Sequence, residues 1–194
     1  KCRWKHCLKK QAVHCQNNML LEYINKISAI FTLFSQIFLV GAVILLFFPK
    51  TRNYILNFFG RHGMFLAFLV AVASLVLSLF YSDYAGYEPC KLCWLQRIFI
   101  YPQTVLLGMA LYRKDYKIID YALALLFVGT VISLYHNYLS FGGSPFFNCD
   151  AFSLGVSCAK RYIFELGYIT IPIMSLTSFL LMIFFLKVQK LYNK

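Results

Sequence analysis

Charge is what this chain has least of. Only 13% of its 194 residues are Asp, Glu, Lys or Arg, and only seven are acidic. So little polar material cannot cover the surface of a soluble domain that is 60% hydrophobic and 19% aromatic. Also missing are a glycine-rich phosphate loop, an internal repeat and any low-complexity run, which removes nucleotide-binding and repeat architectures from consideration. The net charge of +12 would point toward nucleic acid in a soluble chain, but the positions of the charges exclude that reading here.

What the chain has instead is long apolar runs. A helix rising ~1.5 Å per residue needs ~20 mostly apolar residues to cross a hydrocarbon core ~30 Å thick. Five stretches qualify: Ile27 to Phe48, Met64 to Tyr81, Leu95 to Leu111, Tyr121 to Tyr138 and Gly167 to Leu186. The first is of span length and has no small-residue cleavage pattern behind it, so it reads as a span rather than a cleaved leader. The expected fold is an all-α integral membrane protein.

Basic residues gather at the ends of these runs. Lys50, Arg52 and Arg61 lie in one connection, Arg113, Lys114 and Lys117 in another, and Lys187, Lys190 and Lys194 after the last span. By the positive-inside rule these three regions are cytoplasmic. Alternation then puts segments 82–94 and 139–166 outside, where Asp83, Glu88, Asp150 and Glu165 balance Lys91, Lys160 and Arg161. The N-terminus breaks the rule: residues 1–26 would be outside, yet they carry Lys1, Arg3, Lys5, Lys9, Lys10 and Lys26 against Glu22. Met19 stands just before the apolar run, and a start there would leave only Glu22 and Lys26 ahead of the first span. Residues 1–18 are therefore expected to be absent from the mature protein. Cys2, Cys7 and Cys15, with His6 and His14, match no zinc-finger spacing and receive no role.

Chemistry concentrates in the segment 88–97, Glu-Pro-Cys-Lys-Leu-Cys-Trp-Leu-Gln-Arg. If Pro89 ends the loop and a helix starts near Cys90, then Cys90 and Cys93 fall at i and i+3 on one face, within disulfide reach. Unpaired amides and the positive dipole end of a helix start stabilise a thiolate. Arg97 shares that face one turn deeper. An arginine costs about 2.5–3.5 kcal/mol at the centre of a span, somewhat less near the interface, and the alternative to a use is a side chain snorkelling toward water. A second pair, Cys149 and Cys158, encloses eight residues of the other outer segment. In an oxidising compartment it would be a disulfide, by itself only a staple. Four outer cysteines could also form a tetrahedral zinc set, but pairs on separate loops, one beside an arginine, suit electron relay better, and no metal site is assigned. His136, near the outer end of the fourth span, is either a solvated helix end or a ligand for a carbonyl oxygen beside Arg97.

Residues 90–102, Cys-Lys-Leu-Cys-Trp-Leu-Gln-Arg-Ile-Phe-Ile-Tyr-Pro, resemble the signature of disulfide bond formation protein B, the DsbB family, and its BdbC-type branch in particular. Ser144-Pro145-Phe146 before Cys149-Asp150, and the opening of the last span from Glu165 to Pro172, match as well, so the resemblance covers residues 64–187. It implies a four-helix transmembrane bundle; ahead of that bundle the chain's own runs add a basic tail over 1–26 and one additional N-terminal transmembrane helix and loop over 27–63, and a cytoplasmic tail follows from 188. It implies a ubiquinone or menaquinone beside Cys93, with Arg97 and His136 near its oxygens, and a DsbA-like thioredoxin-fold partner outside a bacterial inner membrane. By position, the partner's thiolate would attack Cys149 of a Cys149–Cys158 disulfide, Cys158 would attack Cys90, and Cys93 would be freed beside the quinone. The extra span and the short loop between Cys149 and Cys158 depart from better-known members. Two other readings are a quinone reductase of the vitamin K epoxide reductase type, disfavoured because its loop pair precedes its two-residue-spaced pair, and a non-enzymatic membrane protein with structural disulfides or a zinc clamp. Peptide mapping of native protein is expected to find nothing upstream of Met19; peptides from that region would refute the assigned start.

Overall fold

A computed structural model describes residues 3–87, 89–144 and 167–193, with side chains from residue 19 to 48 and from 55 onward within those ranges. Its elements are helices α1 (Arg3–Phe47), α2 (Pro49–Leu79), a π-helical turn (Phe80–Tyr84), α3 (Lys91–Arg113), α4 (Ile118–Ser140) and α5 (Ile171–Tyr192). Four carry stretches long and apolar enough to span a bilayer: Met19–Phe47, Ile55–Tyr84, Ile118–Ser140 and Ile171–Tyr192. The chain is thus an all-α, multi-pass membrane protein. The remaining expected span is also a helix, α3, but Gln96, Arg97 and Gln103 reduce its apolar character. Two of these, Gln96 and Gln103, are buried against neighbouring helices, where lipid does not reach them.

Local sequence explains where the helices break, and it moves several expected boundaries. Residues 49–63, expected as part of a connecting loop, are helical. Pro49 sits in the first turn of α2, where its missing N–H has no partner to lose, and Phe48 is the one extended residue between α1 and α2 (φ −90°, ψ 117°). The basic stretch 3–26 continues the helix of the first span instead of forming a separate tail. At the last span the helix begins at Ile171 and not at Gly167, which has φ 82°; Thr170 is its extended N-cap and Pro172 occupies the first turn.

The α2–α5 packing is the closest in the bundle and rests on small side chains. Gly60, Gly63, Ala67 and Ala71 recur every three or four residues along α2, and Ala67 and Ala71, with the neighbouring Met64, are buried. Lipid tails are as apolar as leucine, so helices associate here by close contact and not by expelling water. At Gly63 the contact is extreme: a Cβ would lie 2.5 Å from the Phe185 carbonyl oxygen of α5. α3 and α4 complete the bundle, α3 against α2 and α4, and α4 against α5.

Helix α1 lies on the outside, against α2 and α5. Its polar groups meet polar partners: the Ser28 and Tyr81 hydroxyls are 2.8 Å apart, Gln36 donates to Thr177 Oγ1 at 3.1 Å, and Tyr168 donates to Gln36 Oε1 at 2.8 Å. Phe38 packs against Phe59 with ring centroids 5.5 Å apart. Because Ser28 meets the end of α2 and Phe38 meets its first half, α1 and α2 run antiparallel about the turn at Phe48. At the end of the bundle away from Cys90, Lys190 of α5 pairs with Asp120 of α4.

Gly63→Leu is expected to destabilise the bundle by about 1–3 kcal/mol through overpacking against α5. Gly41→Ala, at a position where a Cβ meets nothing within 4 Å, should be near neutral. Denaturant unfolding in detergent followed by circular dichroism separates the two; equal stability would refute the packing account.

Candidate functional site

The cysteine motif starts α3 as its spacing requires. Cys90 is the extended N-cap (φ −69°, ψ 170°), the helix runs from Lys91, and the Trp94 amide closes its first turn on the Cys90 carbonyl at 3.1 Å. Cys93 is therefore in the first turn, among amides that have no carbonyl partner within the helix. The two sulfur atoms are 3.4 Å apart. They face different surroundings: Cys90 is buried beside Leu92 and Leu139, whereas Cys93 is half-buried and lines a cleft between α2, α3 and α5.

The cleft is open on one side, and the empty space within it and across its mouth amounts to about 800 Å³. Its walls are mainly apolar, with Leu77, Tyr81, Ile100 and Met174 among them, and polar groups converge at Cys93, Gln96 and Arg97 and at serines of α2 and α5. Tyr81, which α1 holds through Ser28, stacks on Tyr87 at 6.0 Å between centroids, and both rings belong to the wall.

Arg97 enters this cleft from α3 with its charge already engaged. Its guanidinium donates to the Ser78 carbonyl at 2.9 Å and to the Ser82 hydroxyl at 3.4 Å, and lies 5.3 Å above the Trp94 ring. Those acceptors stand where α2 turns into the π-helical turn, whose Ala85 amide reaches back five residues to the Phe80 carbonyl. Such turns widen the backbone ladder and are frequent at functional sites. The cation is thus held on the α2 side of the cleft that Cys93 also lines.

His136, from α4, stands at the cysteine pair. It is 3% exposed, its Nε2 is 3.7 Å from the Cys90 sulfur, and it is not among the described residues that line the cleft. Its Nδ1 is 3.2 Å from the Gln96 amide nitrogen, and Gln96 Oε1 accepts from the Ser175 hydroxyl at 2.9 Å. With the Gln96 NH₂ donating to Nδ1, the ring proton resides on Nε2 and points at Cys90, a tautomer assigned from the hydrogen-bond pattern. Next along α4, Asn137 donates to the Pro172 carbonyl at 3.0 Å and so ties α4 to the start of α5.

Of the residues expected at the site, Cys90, Cys93, Arg97 and His136 are brought to one end of the bundle. Cys149 and Cys158 lie outside the described residues. Gln96 and Ser175 were not anticipated. A buried glutamine one helical turn from Cys93 was a legible signal, since an amide in a span costs energy without a partner; Ser175, among several hydroxyl residues of α5, carried none.

A helical membrane bundle that holds a two-residue-spaced cysteine pair at a helix start, between a histidine and an arginine-lined cleft, is a membrane thiol–disulfide oxidoreductase. The chain belongs to the family of disulfide bond formation protein DsbB, whose model matches residues 60–189. It is 35% identical over 127 residues to disulfide bond formation protein C of Bacillus subtilis, covering 66% of this chain and 91% of that protein. It is 32% identical over 129 residues to "Probable disulfide formation protein C 2" of Bacillus cereus, again 66% and 91%. "Probable disulfide formation protein" of Chlamydia pneumoniae is 34% identical over 139 residues, 71% of this chain and 98% of its own length. No solved structure shows significant similarity.

Gln96→Leu removes the donor to His136 Nδ1 and leaves a buried nitrogen unsatisfied, at a cost of about 1–3 kcal/mol. Reaction of Cys90 with a small disulfide reagent is expected to slow by roughly fivefold or more, against an unchanged circular dichroism spectrum. An unaltered rate would show that the Gln96–His136 contact does not act on Cys90.

Proposed function

We propose that this protein accepts electrons from a DsbA-like, thioredoxin-fold dithiol on the extracytoplasmic face of a bacterial cell membrane and delivers them to a membrane quinone. The observation that carries this reading is the divided setting of the cysteine pair: Cys93 opens on an apolar cleft that holds a fixed cation, and Cys90 is turned away from it toward His136. The side of the membrane is inferred from charge, since Arg113, Lys114, Lys117, Lys187 and Lys190 all fall at the end away from the cysteines.

The cleft fits an apolar ring with polar oxygens, having mostly apolar walls and polar groups gathered near Arg97. A quinone bound there would supply a two-electron, two-proton acceptor. The chain's own part is thiol exchange and placement. A partner thiolate attacks Cys149 of a Cys149–Cys158 disulfide, forming a mixed disulfide and releasing Cys158. The partner's second thiolate resolves that bond, releasing the partner oxidised and leaving Cys149 reduced. Cys158 attacks Cys90 of a Cys90–Cys93 disulfide, and Cys149 closes back on Cys158, so that the electron pair now resides on Cys90 and Cys93. Cys93 is thereby left as a thiolate facing the cleft, among the amides of the α3 start. Arg97 stabilises negative charge in that cleft without reorganising, because Ser78 and Ser82 already hold it in place.

In detergent, with an added quinone and a reduced thioredoxin-fold partner, wild-type protein is expected to form quinol and Cys93→Ser to form none; quinol formation independent of Cys93 would refute the reading. Arg97→Met should lower the quinone-dependent kcat/KM by about 10²-fold, with partner affinity unchanged. A partner whose second cysteine is changed to Ser should be trapped covalently through Cys149 on a non-reducing gel; no adduct, or an adduct that persists with Cys149→Ser, would overturn the order of attack.

A further inference from the structure

The groups around the cysteine pair do more than favour a disulfide. Cys90 Sγ, Cys93 Sγ and a ring nitrogen of His136 all lie within 4.8 Å of one another, with Cys90 and His136 buried and Cys93 half-buried. Individual separations are 3.4 Å between the sulfurs and 3.7 Å from Cys90 Sγ to His136 Nε2. A tetrahedral zinc ion, with Zn–S of ~2.3 Å and Zn–N of ~2.0–2.1 Å, sets its ligand atoms about 3.5–3.8 Å apart. These two spacings differ from that by a few tenths of an ångström, and the third, from Cys93 Sγ to the His136 ring, lies within 4.8 Å, so side-chain torsions bring the three atoms to one ion.

We infer that the reduced form of this protein binds one zinc ion, or a similar thiophilic divalent cation, through Cys90, Cys93 and His136. Two thiolates and a neutral imidazole cancel the charge of a divalent ion, and a neutral complex is what a site of low polarity tolerates. Three protein ligands leave a fourth position open. Cys93 lines the cleft, so an ion can enter from that side and complete its shell with water or another oxygen.

The surroundings of His136 also fit. Zinc on Nε2 requires the ring proton on Nδ1, and ligating histidines are commonly held by an acceptor at the other nitrogen. Gln96 can meet this by turning its amide so that Oε1 accepts from Nδ1–H. Ser175, whose hydroxyl either donates or accepts, then takes a hydrogen bond from the Gln96 NH₂. One amide rotation thus serves both the proton-bearing and the metal-bearing states of Nε2.

Binding is not a redox step. Two thiols lose two protons and each sulfur donates a lone pair to the ion; the Cys90–Cys93 disulfide has no thiolate to offer, so the oxidised form is excluded. Zinc would therefore capture the protein in its reduced state and hold both sulfurs away from exchange until removed. This site differs from a clamp of four outer cysteines, because it needs His136 and neither Cys149 nor Cys158.

Equilibrium titration with zinc against a chromogenic chelator, on full-length protein with Cys2, Cys7, Cys15, Cys149 and Cys158 changed to Ser, tests the inference. Neither quinone nor partner is present, so failure here is separable from failure of the turnover assay. Reduced protein is expected to take up one zinc per chain and oxidised protein none. Cobalt in place of zinc should give thiolate-to-metal charge-transfer absorption with tetrahedral d–d bands. His136→Ala should weaken zinc at least tenfold, with His136→Gln tested beside it. Unchanged helical circular dichroism and unchanged thiol counts identify variants that remain folded. Equal zinc affinity in wild type and both folded variants would mean chelation by the dithiol alone, and uptake by the oxidised form would place the metal elsewhere; either overturns the inference.

Discussion

Three helices meet on one side chain. Gln96, in the second turn of α3, faces His136 on α4 and Ser175 on α5, in a bundle whose other internal contacts are largely apolar. In such surroundings an unmet amide is costly, so the positions of α3, α4 and α5 are coupled through those hydrogen bonds more sharply than apolar packing would couple them. The Cys90 sulfur is reached through the same chain, one imidazole further on.

Around that junction the two faces of the cysteine pair become unlike. Toward α4 there is packing and an imidazole; toward α2 and α5 there is space and a cation. The space exists because α2 and α5, pressed together at Gly60 and Gly63 near one end, leave the cleft between them at the end where α3 starts. The π-helical turn at Phe80–Tyr84 then gives Arg97 a backbone and a hydroxyl acceptor. Close packing at one end and loosened backbone at the other serve a single site.

The additional helix α1 also connects to it. Through Ser28 it holds Tyr81, a wall of the cleft, and through Gln36 it reaches Thr177 and Tyr168 at α5. Ser28 and Gln36 precede residues 60–189 that match the family model, whereas their partners Tyr81, Thr177 and Tyr168 lie within that range. Arg97, the cysteine pair and the helix that carries them fall within it.

Much of this was legible in residue order. Apolar run length gave the helices, because a bilayer imposes its thickness on any chain that crosses it. Pro89 and the two-residue spacing placed Cys90 and Cys93 on one helical face, because a helix repeats every ~3.6 residues. What only the tertiary structure decided is which neighbour each group acquired. His136, expected near Arg97, has its Nε2 at the Cys90 sulfur and its Nδ1 at Gln96, a residue of the cleft wall. Residues 49–63 begin α2, and Gly60 and Gly63 within that stretch meet α5, contacts that no local propensity reveals. Sequence fixes depth and periodicity along one helix; the rotation of that helix against others is set by contacts distant in the chain, and only the fold contains them.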